Sequence, residues 1–177
     1  MHDKRQSATN RRQPLQPLNH DLNPFTPFVK CGKVFTPVLP LSLTRKEPPL
    51  PLTKVEVFVK ERVQTNILIN FSGFITSVLR GEASFNNLVF QLIRSCSHKR
   101  SILRREYPFQ RQLLNDTTIK EPLVYNFCDE NPPIQTTCTY TLQLVKADLS
   151  PDSYYDITQK SMTALVFAAG RKEDPYE

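Results

Sequence analysis

Thr136-Thr137-Cys138-Thr139-Tyr140-Thr141-Leu142-Gln143-Leu144-Val145 changes character at every residue from Thr137 to Leu144. Cys138, Tyr140, Leu142 and Leu144 fall on one side; Thr137, Thr139, Thr141 and Gln143 fall on the other. Successive strand side chains point to opposite faces, so a period of two predicts a β-strand with one face buried.

Outward from this segment the same rhythm repeats at short spacing. Asp148 to Asp152, containing Pro151, reads as a turn into a Thr-, Val- and Phe-rich strand over Ile157 to Ala169. Upstream, Leu123, Tyr125 and Phe127 are in phase, and Leu103 to Phe109 reads as another strand. Leu88, Phe90 and Leu92 alternate within Phe85 to Ile93, entered through an Arg80-Gly81-Glu82 turn. Ile67, Ile69 and Phe71 share a face opposite Asn66 and Asn70, with Gly73 marking a bulge or kink before Phe74 to Leu79. Val55, Val57 and Val59 share a face, and Glu47 to Pro51 reads as a linker or edge segment. No long window has helical periodicity. Eight to ten strands at this spacing predict an all-β antiparallel sandwich, of jelly-roll type.

Residues 1–30 have a different composition. Met1 to Asn19 is polar and charged, broken by Pro14 and Pro17, and Pro24 and Pro27 follow. Prolines remove backbone donors and favour extended geometry. The expected organisation is therefore an extended N-terminal arm over 1–30, a sandwich over 31–170 and a polar tail over 171–177. Two readings of the arm stand: a free tail, or a connector whose Leu15, Leu18, Leu22, Phe25 and Phe28 dock on a neighbouring subunit.

The net charge of +6 comes from 23 basic against 17 acidic residues. That excess is small, and its tightest cluster, His98, Lys99, Arg100, Arg104 and Arg105, reads as a solvated turn or subunit contact, so nucleic acid is not the expected partner. No run approaches the ~20 apolar residues of a membrane span. The N-terminus has no apolar signal-peptide core, so synthesis in a cytoplasm is expected. No nucleophile-elbow, zinc-protease or phosphate-loop pattern occurs, and His2, His20 and His98 have no partners at metal-ligand spacing beyond Cys96-x-His98. Asp129-Glu130 reads as a solvated turn. The expectation is no enzyme activity, no metal and no cofactor.

Cys31, Cys96, Cys128 and Cys138 contain no C-x-x-C pair. A hairpin about Pro132-Pro133 brings Cys128 opposite Cys138, which admits a cross-strand bridge; two buried free thiols are the other reading. Cys31 is either a bridge to Cys96 or to another subunit, or a buried free cysteine.

Several short motifs, in order, carry a family resemblance. They are Val29-Lys30-Cys31-Gly32, Val55 to Val59, Asn66 to Ser72, Phe90-Gln91-Leu92-Ile93-Arg94-Ser95-Cys96, Tyr125-Asn126-Phe127-Cys128-Asp129 and Cys138-Thr139-Tyr140-Thr141. Over residues 29–169 the chain resembles a small cysteine-containing domain family of unknown function from clostridial and related spore-formers. The resemblance implies similarity to the jelly-roll subunits of endospore appendages and the exosporium, in which an N-terminal connector reaches into the next subunit. It departs from those subunits in having far fewer cysteines and no paired cysteines in the arm. What it implies is a self-assembling structural subunit, made without a signal peptide and exposed on a spore surface or fibre after mother-cell lysis. Its expected partner is itself. The rival expectation is a compact trimer acting as a ligand- or glycan-binding head.

Overall fold

The computed structural model describes residues 26–59, 65–97, 103–130 and 132–168. Its strands are β1 (Phe28–Cys31), β2 (Lys33–Val34), β3 (Ser42–Leu43), β4 (Leu50–Val59), β5 (Thr65–Leu79), β6 (Ser84–Cys96), β7 (Leu103–Leu113), β8 (Thr117–Glu130), β9 (Thr136–Leu149) and β10 (Tyr154–Ala168). One sheet has the order β1-β10-β5-β8; the other runs β2-β4-β9-β6-β7, with β3 added to β9. Every pairing is antiparallel.

The pairs are nested along the chain. β6 pairs β7, β5 pairs β8, β4 pairs β9 and β1 pairs β10, alternately in one sheet and the other. A long hairpin rolled up in this way is a jelly roll, as the alternating sequence predicts.

The core fills the space between the sheets. Val55, Val57 and Val59 of β4, with Tyr140, Leu142 and Leu144 of the adjacent β9, line one side of the core, and Ile67, Ile69 and Phe71 of β5 line the other, all nearly without exposure. Burying one such side chain is worth roughly 1.5–3 kcal/mol. Among the described residues the period-two assignments hold: Leu88, Phe90 and Leu92 are buried, whereas Thr137, Asn70 and Glu56 are exposed.

Three expectations need correction. Phe28 belongs to the sheet: β1 pairs with β10 of its own subunit, Phe28 opposite Val166, and Phe28 packs on its own core. Its apolar neighbours within the chain claim it before another subunit can, so residues 28–30 are not arm. Leu15, Leu18, Leu22 and Phe25, and the tail 171–177, lie outside the described residues. Gly73 sits inside one continuous strand, β5, and the irregularity lies on the partner, where β10 shifts register between Thr158 and Ser161. A Cβ on Gly73 would lie 3.3 Å from the Thr158 carbonyl oxygen, so the missing side chain leaves room for the bulged backbone opposite. Finally, no hairpin forms about Pro132-Pro133. β8 and β9 lie in different sheets, so the two prolines lead the chain across the sandwich.

Candidate functional site

That crossover decides the cysteines. β9 pairs with β6, and the register sets Cys138 directly opposite Cys96, Cα atoms 4.1 Å apart, in a disulfide. Cys128 lies in β8 beside Leu68 of β5, and both Cys128 and Cys31 are free, exposed thiols. The Cys128–Cys138 and Cys31–Cys96 pairings are therefore replaced by Cys96–Cys138. Adjacent strands in one sheet can offer Cα atoms close enough for a bridge; these strands in opposite sheets do not.

Beside the disulfide lies a polar cluster that includes Asp129, expected in a solvated turn. Arg94 of β6 donates from Nη1 to both oxygens of Asp129 in β8, at 2.6 Å each, and the Tyr140 hydroxyl of β9 donates to Oδ2 of the same carboxylate. All three residues are buried. The pair crosses between the sheets and fixes their separation at this end. Burial, and then the hydrogen bond and charge of Asp129, keep the Tyr140 hydroxyl protonated far above the ordinary tyrosine range. Asp129 is thus not part of a solvated turn. It is in phase with Leu123, Tyr125 and Phe127, as Arg94 is with Leu88, Phe90 and Leu92, and that phase is the signal that identifies a facing pair.

The rim of the sandwich has two unlike sides. Edge strands present unpaired backbone groups and are liable to pair with other chains. On one side the edges are β7 and β8. Here Pro108 and Pro122 each remove a donor. Side chains also lace the two strands together: Arg111 forms a two-pronged pair with Glu121 at 2.6 and 2.7 Å, and Tyr107 stacks on Tyr125 with ring centroids 4.4 Å apart. The Arg105 guanidinium lies 5.8 Å from the Phe127 ring centroid. Arg104 and Arg105 of the basic cluster are exposed strand residues here, and 98–100 lie outside the described residues. The bond from Arg111 holds the Glu121 carboxyl below the usual carboxylate range.

On the other side the chain itself passes from sheet to sheet. β1 ends at Cys31, Gly32 donates its N–H to the Met162 carbonyl at 2.7 Å, and β2 begins at Lys33 against β4. β2 covers only Thr53 and Lys54, with Phe35 donating to the Leu52 carbonyl just beyond. Among the described residues no strand covers the outer edge of Val55–Val59. A cleft of about 320 Å³ runs beside this edge, lined by Cys31, Lys33, Lys54, Val55 and Glu56.

The free thiols share one surface. Val29, Leu165, Leu68 and Cys128 form a transverse row on the outer face of the β1-β10-β5-β8 sheet, and Cys31, Thr163, Asn70 and Asn126 form the next. The two cysteines stand on the outer strands of that sheet, about 16 Å apart across three strand spacings and one row. Burial first, then Glu130 and Asp129, raise the Cys128 thiol above the ordinary cysteine range. Another open cleft, about 600 Å³, is lined by residues including Arg45, Lys46, Lys146 and Asp148, and Arg45 is already paired with Glu106 at 2.6 Å. Among the described residues no three His, Cys, Asp or Glu side chains gather as metal ligands, and no helix is long and apolar enough to cross a membrane.

Among solved structures, one chain of the structure of infectious bursal disease virus Gt strain is similar, at 11% identity and a TM-score of 0.47. The alignment covers 84% of this chain and 35% of that one. A chain from the Gx strain gives 10% identity and a TM-score of 0.43, with the same 84% and 35% coverage. The present chain thus spans about a third of the length of those chains. No curated protein matches. The family match spans the whole sandwich: residues 26–167, from just before β1 to one residue short of the end of β10, fit the domain of unknown function DUF4489, and the chain belongs to that family.

Proposed function

We propose that the chain is a structural subunit that assembles with copies of itself into a filament or surface layer, its N-terminal arm docking on the neighbouring subunit. The supporting observation is where the arm leaves. Thr26 and Pro27 are exposed and lead out from β1, the outermost strand of its sheet, with 25 further residues beyond them. An extended peptide that adds to a sheet edge gains main-chain hydrogen bonds and side-chain pockets. A head-to-tail contact that does not close on itself makes a fibre. In this reading the chain is no enzyme and needs no cofactor. Its setting, by the resemblance to appendage and exosporium subunits, is a spore surface reached after mother-cell lysis.

Removing residues 1–25 tests the proposal without touching β1. Light scattering and electron microscopy should show growing polymers for the full chain and dispersed protein for the truncated one. Unchanged fibres after truncation would overturn it. The rival, a closed trimeric head, draws on the 600 Å³ cleft with Arg45, Lys46 and Lys146 in its lining. It predicts a single mass at every concentration.

A further inference from the structure

The geometry points to a specific acceptor: we infer that the open edge of β4, Val55–Val59, receives residues 18–23 from the arm of a second copy. This rests on the arm-docking reading above and adds where the arm binds and which part of it does so.

Four observations carry the assignment. First, the edge is open because the chain is diverted. β2 extends its sheet alongside Thr53 and Lys54, but the residues just before β2, which would continue that strand along Val55–Val59, instead form β1 in the opposite sheet. Among the described residues the β4 sheet is therefore one short strand incomplete at that corner.

Second, the backbone is oriented to accept a partner. In an antiparallel strand, alternate residues direct their N–H and C=O to alternate sides. Val59 uses its carbonyl on the β9 side, accepting from Gln135, whereas Leu52 accepts from Phe35 on the outer side. Following the alternation from Val59, Glu56 and Phe58 turn their main-chain groups outward. Both side chains are exposed, Phe58 at 55%.

Third, the segment lacks the features that protect the opposite rim. Val-Glu-Val-Phe-Val has no proline and one charge, and its composition favours strand pairing. The β7/β8 rim carries Pro108 and Pro122 and is laced by Arg111–Glu121 and Tyr107–Tyr125. The 320 Å³ cleft at β4 provides the concavity beside the open edge.

Fourth, the arm contains one fitting stretch. Leu18-Asn19-His20-Asp21-Leu22-Asn23 is the longest proline-free run between Pro14 and Pro27. As a strand it sets Leu18, His20 and Leu22 on one side and Asn19, Asp21 and Asn23 on the other. Leu18, His20 and Leu22 would continue the inward row of Val55, Val57 and Val59, with Asn19, Asp21 and Asn23 outward. Docking on its own β4 would need the chain to reverse within Pro24-Phe25-Thr26-Pro27. Two prolines in four residues favour an extended path of about 3.1 Å per residue, which carries the donor away to a neighbour.

Cys31 lines the cleft and so reports its occupancy, with Cys128 on the opposite edge strand of its sheet as an internal control. Alkylation of the two thiols and light scattering are followed for the full chain, the 1–25 deletion, Phe58→Lys and Glu56→Pro. Phe58→Lys places a charge at the edge; Glu56→Pro removes an outward N–H while sparing the β9 ladder. The expected result is that the full chain polymerises with Cys31 alkylated several-fold more slowly than in the deletion, and that both edge variants disperse and expose Cys31. A synthetic peptide of residues 14–25 added to the deletion restores the protection. If Glu56→Pro fails to fold, Phe58→Lys, altered only at an exposed side chain, decides. Polymers that survive both edge variants but not the deletion put the acceptor elsewhere and leave the arm reading standing. A full chain that stays monomeric with Cys31 protected means docking within one subunit and overturns the exchange. Polymers that survive the deletion overturn the arm reading itself.

Discussion

Asp129 accepts three hydrogen bonds in the interior, two from Arg94 and one from Tyr140, across the gap between sheets. Removing charges from water is costly, and a buried pair recovers that cost only while both partners remain. Replacing Asp129 by Ala takes away the carboxylate that neutralises the buried Arg94 and leaves the Tyr140 hydroxyl without its acceptor. The expected loss is about 3–5 kcal/mol, read as a lowered denaturation midpoint. Exchanging the trio together for apolar residues of similar volume should cost much less, since nothing is then left unpaired. An Asp129→Ala chain as stable as the parent would refute this account. Sequence phase alone places Arg94 and Asp129 inward, so the pair was legible. It was missed because Glu130, Pro132 and Pro133 give the segment the composition of a turn.

Among the elements, the crossing from β1 to β2 is the tightest. A Cβ on Gly32 would lie 2.7 Å from the Lys54 carbonyl oxygen and 3.0 Å from that of Met162. Both contacts are backbone, on β4 and β10, the strands that β2 and β1 pair with, so neither yields by a rotamer change. Gly32→Ala should destabilise the domain by about 1–3 kcal/mol, the usual cost of forcing extra volume into a packed site. Amide exchange should show the loss first in β1, as its neighbours open; a variant with parental exchange in β1 contradicts this. Strands with a sustained apolar face, β4, β5, β6 and β9, were readable from alternation, whereas β10 was marked by its Thr, Val and Phe content, its inward residues changing phase between Ile157 and Met162. The first half of β8, Thr117 to Pro122, was not, because an edge strand with one partner tolerates proline and polar residues on both faces. β1 escaped notice for a related reason: four residues next to a proline-rich arm carry too few side chains to establish a period.

Over the whole molecule, the nested pairing determines what the disulfide does. Cys96 and Cys138 stand 42 residues apart, and the segment between them contains all of β7 and β8, one in each sheet. No local pattern announces that pairing, because it depends on which sheet β9 joins; a hairpin reading pairs Cys138 with Cys128 instead. A covalent link across such a loop removes conformations from the unfolded chain, worth on the order of 4 kcal/mol in the chain-entropy account. Breaking it with a Cys96→Ser, Cys138→Ser double variant should therefore lower stability by about 2–4 kcal/mol. Cys31→Ser with Cys128→Ser should leave stability unchanged, since both thiols are exposed and unbonded. Denaturant midpoints with and without reductant separate the cases: reductant should shift the parent and the Cys31/Cys128 variant equally, and leave the Cys96/Cys138 variant where it is. If the parent does not respond to complete reduction of its disulfide, the bridge contributes nothing, and the nested strands alone hold the sandwich closed.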